Sequence, residues 1–197
     1  VQGATCLAHR TEAQIQRRAV VAGVGAALVM VVAFVAAGLW LQGMEGYRIS
    51  SAVQTAALPD PLSKTVVREP GAWMANYAAW PALWALPALG VAGALAAAAL
   101  LAARRTLSAF VASSLAVVGV IGTAGASMFP FVMPSSTHLA SSLTVWDSVS
   151  SHKTLGIMFW ATLIFMPLIV TYTSWAYRVM RGKVTEAYIR ENDHAAY

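Results

Sequence analysis

An all-α membrane protein is the fold class this sequence predicts: a bundle of four complete transmembrane helices plus the tail of a preceding one. Three observations carry that prediction. Hydrophobic types make up 58% of the 197 residues and charged types only 11%, less than half the roughly 25% of an ordinary soluble domain. Four apolar stretches are each long enough, at about 1.5 Å per helical residue, to cross a hydrocarbon layer about 30 Å thick. The 13 Lys and Arg residues stand in short clusters beside those stretches, which is how membrane topology is written. The net charge of +5 is therefore no argument for nucleic-acid binding, and none is expected.

The elements follow in chain order. Residues 1–18 read as the end of an upstream helix, ending near Leu7, followed by a basic loop. Because no initiator Met is present and the chain opens mid-pattern at Val1-Gln2-Gly3, the sequence is read as part of a longer polypeptide. Residues 19–41 contain no charge and form the first complete span. Residues 42–80 form an outer loop of mixed polarity, in which Leu58-Pro59-Asp60-Pro61 predicts a turn. Residues 81–103 form the second span, stopped by Arg104-Arg105, and residues 106–133 the third. The alanine-rich stretch 94–99 and Gly119, Gly122 and Gly125 predict close helix approach between them. Residues 134–154 are a Ser/Thr-rich outer loop lying against the membrane surface or a partner. Residues 155–177 form the last span, and 178–197 a basic tail.

Charge then orients the spans. The first loop, the Arg104-Arg105 turn and the tail carry nine bases: Arg10, Arg17, Arg18, Arg104, Arg105, Arg178, Arg181, Lys183 and Arg190. The opposite side carries four: Arg48, Lys64, Arg68 and Lys153. The positive-inside bias places the nine, and the C-terminus, in the cytoplasm. Trp40, Tyr47, Trp73, Tyr77, Trp80 and Trp146 cluster toward the other boundary, as interfacial aromatics do.

Catalytic chemistry is hard to find. His9, His138, His152 and His194 all fall in loops or the tail on this reading, so no span offers the His that a haem held at membrane depth requires. Met30, Met158 and Met166 lie inside spans, where methionine ordinarily serves packing. A single cysteine, Cys6, excludes an internal disulfide or a cysteine-built metal site. No carboxylate pair, phosphate loop or nucleophile–base pattern is present. No catalytic, cofactor-binding or metal residue is therefore named in this chain. The most informative stretch is Phe129-Pro130-Phe131-Val132-Met133-Pro134-Ser135-Ser136, continuing through Ser142 to Asp147. Its candidates are structural. Pro130 and Pro134 end the third span, Ser135 and Ser136 satisfy backbone groups at the turn, and Asp147 or Ser150 caps the last helix.

These residues also resemble a known family, subunit II of the cytochrome bd quinol oxidases. The matching blocks are Gln2-Gly3-Ala4-Thr5, Val67-Arg68-Glu69, Gly71-Ala72-Trp73, Pro87-Ala88-Leu89-Gly90 and the whole Phe129 to Asp147 segment. Thr154-Leu155, Tyr172-Thr173 with Trp175, and Met180, Gly182 and Tyr197 complete them. Cys6 departs from the pattern, where an aromatic is expected. The resemblance implies the C-terminal half of a subunit of about nine transmembrane helices in the bacterial cytoplasmic membrane. It implies a partner subunit I carrying b-type and d-type haem, a small single-helix accessory subunit, surrounding lipid, and quinol from the quinone pool as substrate, with oxygen reduced to water. The family's proposed proton and oxygen paths lie largely in its first half, so no such residue transfers here. The competing readings are half of a secondary transporter, with helix breaks at Pro87 and Pro167, and a membrane scaffold. For Asp147 the alternative to a cap is a proton carrier, or a charge paired with Lys153 or with a cation on subunit I.

Overall fold

The computed structural model describes residues 1–53, 60–179 and 182. The candidate turn at Leu58 and Pro59, and tail residues such as Met180, Arg181, Lys183, Arg190, His194 and Tyr197, lie outside them. Among the described residues, four helices are long and apolar enough to span a membrane. In chain order, α1 (Gln2–Arg10) and α2 (Ala13–Gly43) form a hairpin. A two-stranded antiparallel sheet follows, β1 (Glu45–Ile49) with β2 (Val66–Pro70). The short α3 (Ala75–Ala79) leads through a 3-10 turn, Pro81–Trp84, into α4 (Ala85–Ala102). A tight turn then gives α5 (Thr106–Met128), a second small sheet of β3 (Phe131–Met133) and β4 (Leu143–Thr144), and finally α6 (His152–Val179).

Several expected boundaries move, each for a physical reason. The third span ends at Met128 instead of residue 133, because the residue before proline is driven out of helical geometry: Phe129 is extended (ψ 133°), and Phe131–Met133 pairs as a strand. The first span begins at Ala13 and the last at His152. A helix is held by its own backbone hydrogen bonds, which continue into water where hydropathy has already fallen. His9 consequently lies in the last turn of α1, and His152 is the first residue of α6, neither of them in a loop. The proposed helix breaks are absent. Pro87 sits in the first turn of α4, where its missing N–H costs nothing, and α6 runs continuously through Pro167.

The bundle interior is made of small residues. Ala8, Ala19, Ala27, Ala94, Ala97, Leu101 and Ala109 are buried among α1, α2, α4 and α5, while Val21, Val32, Leu107, Val118 and Ile121 point outward. Between chemically similar lipid tails and side chains, close backbone approach and dispersion hold helices together. The α4–α5 contact shows how close. A Cβ added to Gly93 would lie 2.8 Å from the Ala116 nitrogen, and one on Gly119 would collide with the Gly90 backbone. At the end that carries the β-strands, α2, α4 and α5 line an apolar groove of about 850 Å³, with Phe34, Gly38, Trp84, Val91, Val120 and Thr123 in its wall. The described residues of α6 are exposed except Ala176, which is half-buried.

The outer-loop clasp as candidate functional site

Where the sequence predicted two outer loops, at 42–80 and 134–154, the chain builds a cap. In β1–β2, Glu45 pairs with Pro70 and Ile49 with Val66, and the following turn passes through Gly71 in the left-handed region (φ 73°). Gly46 is required by space, since a Cβ there would stand 2.7 Å from the Trp73 nitrogen. Tyr47 packs against Trp73 and Phe131, with ring centroids 5.5 and 6.0 Å apart, and the Arg68 guanidinium lies 5.7 Å from its ring centre. The first outer segment is thereby laid onto the second.

The centre of this arrangement is an ion pair. Lys64 Nζ donates to Asp147 Oδ2 at 2.6 Å, and the two side chains are 4% and 9% exposed. The same carboxylate oxygen accepts the Thr144 N–H at 2.9 Å and the Thr144 hydroxyl at 2.6 Å. Burial by itself would raise the Asp147 carboxyl. The hydrogen bonds from Lys64 and Thr144 and the Lys64 charge outweigh it, so the pKa lies below the ordinary 3.8. Asp147 therefore does not cap the last helix. Ser151 does, its Oγ accepting from the Thr154 N–H at 3.4 Å. The partner of Asp147 is Lys64, not Lys153, because β4 aims the carboxylate back at the first outer segment.

The other candidates sit around this pair. Pro130 and Pro134 flank β3, and the Pro130 carbonyl accepts the Val145 N–H at 2.9 Å. The Ser135 N–H donates to the Ser142 hydroxyl at 3.0 Å, and the Ser135 hydroxyl accepts from the His138 N–H at 3.3 Å. Ser136 contributes its carbonyl, to which Arg68 Nη2 donates at 2.8 Å. Asn76, which the sequence did not single out, and Tyr77, read there only as an interfacial aromatic, close the end of α5. Asn76 Nδ2 donates to the Ala126 and Phe129 carbonyls at 2.8 and 2.6 Å, and the Tyr77 hydroxyl to the Thr123 carbonyl at 2.9 Å. The Ala126 carbonyl is one that the helix end leaves open, because the residue four positions on is Pro130, which has no N–H to offer it. Lys64 was legible only as one of the four bases on the less basic side, and its role required its spatial partner to be read.

A second polar group lies within the bundle. Gln2 Nε2 donates to Ser114 at 2.9 Å, Ser113 donates to Gln2 Oε1, and Ser113 and Thr5 hydroxyls share a 3.0 Å bond. One end of α1 is further tied to α5 by His9 Nδ1 and Thr106 Oγ1 at 3.0 Å. Polar pairs of this kind join helices in lipid. Among the described residues no three His, Cys, Asp or Glu side chains gather as a metal site. Among the described residues, no His and Met side chains are brought together as a pair of axial ligands. His9 is engaged with Thr106 at a helix end, and Met158 and Met166 are more than half exposed on α6. No step of redox chemistry is derived through this chain.

Comparison with known proteins agrees with the membrane architecture. Residues 1–180 match the family model of the cytochrome bd terminal oxidase subunit II. The chain is 45% identical over all 197 residues to the cytochrome bd-I ubiquinol oxidase subunit 2 of Escherichia coli K12, covering 52% of that protein. It is 41% identical over 187 residues to the probable cytochrome oxidase subunit 2 of Haemophilus influenzae, covering 95% of this chain and 49% of that one. A shorter stretch of 65 residues is 37% identical to the cytochrome bd ubiquinol oxidase subunit 2 of Bacillus subtilis. The chain spans about half the length of the longest-matching relatives. With a single family model covering most of its length and four apolar helices to match, the chain belongs to the cytochrome bd terminal oxidase subunit II family.

Proposed function

We propose that this chain is the haem-free half of subunit II in a quinol-oxidising, oxygen-reducing complex of the bacterial cytoplasmic membrane. Its role is to buttress a haem-bearing subunit I. The observation that carries the reading is the family match across residues 1–180, on a bundle whose buried interior, among the described residues, is mainly alanine, glycine and hydroxyl side chains with Leu101. The b-type and d-type haems and the quinol site belong to subunit I, a small single-helix subunit completes the complex, and lipid surrounds it. The basic ends of the helices face the cytoplasm and the clasp faces outward. The apolar groove between α2, α4 and α5 receives helical surface from the half of the subunit that the relatives possess and this chain does not cover. A transporter reading is not favoured, since neither Pro87 nor Pro167 breaks a helix. The test is spectroscopic: replacing His9, His138, His152 and His194 together by Ala leaves every haem band of the assembled oxidase in place. Loss of one band with subunit I still bound overturns the assignment.

A further inference from the structure

The turn joining α4 to α5 places a cation where the backbone prefers glycine. The Arg105 N–H reaches back to the Leu100 carbonyl at 2.8 Å and the Arg104 N–H to that of Leu101 at 3.0 Å. This helix-ending pattern puts Arg104 in the left-handed region, φ 57°. Gly, or failing that Asn, occupies such a position without strain. The charge that stands there has basic neighbours on the adjoining turn. The His9–Thr106 bond brings the α1–α2 turn against the start of α5, so Arg10, Arg17, Arg18, Arg104 and Arg105 share one face of the bundle. Glu12 is the one carboxylate on those two turns. Arg17, Arg18, Arg104 and Arg105 are exposed, and both ion pairs among the described residues lie elsewhere, at Arg48–Glu69 and Lys64–Asp147. Arg10 alone is engaged, donating to the Gly182 carbonyl at 3.1 Å. The start of α5 adds the positive end of a 23-residue helix dipole to the same face.

We propose that this face, with Arg104 and Arg105 at its centre, holds the phosphate headgroup of an anionic phospholipid in the adjoining leaflet. The apolar flank supplied by Leu107 and Val111, 60% and 52% exposed on α5, runs from the headgroup level into the bilayer and carries the acyl chains. A planar guanidinium presents paired donors to a phosphate, which a lysine does less well. The headgroup contact is the same on whichever side of the membrane this face lies.

The turn itself supplies the clean variant. Arg104→Gly keeps the left-handed geometry and removes only the charge, so the fold is retained. Whole oxidase carrying Arg104→Gly, Arg105→Gln or both is reconstituted in nanodiscs containing photoactivatable phosphatidylglycerol or phosphatidylcholine, and crosslinks are mapped onto the peptide around Arg104. The parent protein crosslinks the anionic lipid in preference to the neutral one. Each lost arginine lowers that preference about fivefold, the factor equivalent to the roughly 1 kcal/mol that a basic residue gains at an anionic surface. Equal labelling by the neutral lipid, or an unchanged preference in the double variant, overturns the proposal. So does abolition of the crosslink by millimolar glycerol phosphate, which would assign the face to soluble phosphate. Cysteine accessibility of the same variants, read in parallel, reports orientation separately: reversed orientation with the lipid preference intact refutes the topology and leaves the lipid site standing.

Discussion

Breaking the clasp separates its geometry from the cap that the sequence predicted. Lys64 and Asp147 are more than nine-tenths shielded, and their contact is 2.6 Å. Removing one member of a buried pair strands the other charge, at a cost of about 3–5 kcal/mol. Lys64 has contacts besides Asp147, so the lower end of that range applies. Asp147→Asn can still accept from Thr144 yet leaves Lys64 without its counter-charge, and is expected to cost about 3 kcal/mol, close to Asp147→Ala. Lys64→Met should cost a similar amount. The double variant Lys64→Met/Asp147→Asn buries no net charge and keeps an acceptor for Thr144, so it should recover most of the loss, with a coupling of at least about 2 kcal/mol. Thermal unfolding of the purified complex, followed for all four proteins, measures this. An Asp147→Asn variant that melts with the parent, as a helix cap would allow, refutes the clasp. Additive single losses do the same. The pH dependence carries its own sign. A carboxyl held below 3.8 when folded and titrating near 3.8 when unfolded contributes stability that is complete at neutral pH. That stability is lost as pH falls through the folded value. The parent should therefore lose stability below about pH 4 along a limb missing from Asp147→Asn.

Three further outcomes follow from packing and topology. Gly119→Ala, whose new methyl meets unyielding Gly90 backbone, should destabilise the α4–α5 pair by about 1–3 kcal/mol. Gly125→Ala, which meets nothing within 4 Å, should be near neutral; equal effects in a melting assay would refute the close approach. Asn76→Ala uncovers two carbonyls at the end of α5 and should cost about 1–3 kcal/mol, with amide exchange rising first around Phe129. In a Cys6→Ser background, a membrane-impermeant thiol reagent applied to intact cells should label a cysteine at Ser63 and not one at Thr11, and the reverse pattern would invert the topology.

The sequence by itself determined the spans and their number among the described residues, though not the residues at which the helices begin and end. Length, hydropathy and proline act locally, and lipid forces any crossing segment to satisfy its own backbone. The family was legible for the same local reason, in contiguous blocks such as Phe129 to Ser136. Tertiary structure alone decided the partners. Asp147 stands 83 positions from Lys64, and Gln2 more than a hundred from Ser113. No periodicity in one segment can indicate which distant loop will fold over it. A carboxylate shortly before a helix looks like a cap until the turn carrying it folds back on the preceding strand. The cap over the outer side was missed because its strands are two to five residues long and alternate too briefly to register. It exists because aromatic stacking and one buried charge pair hold two loops together, and those forces act through space between residues remote in the chain.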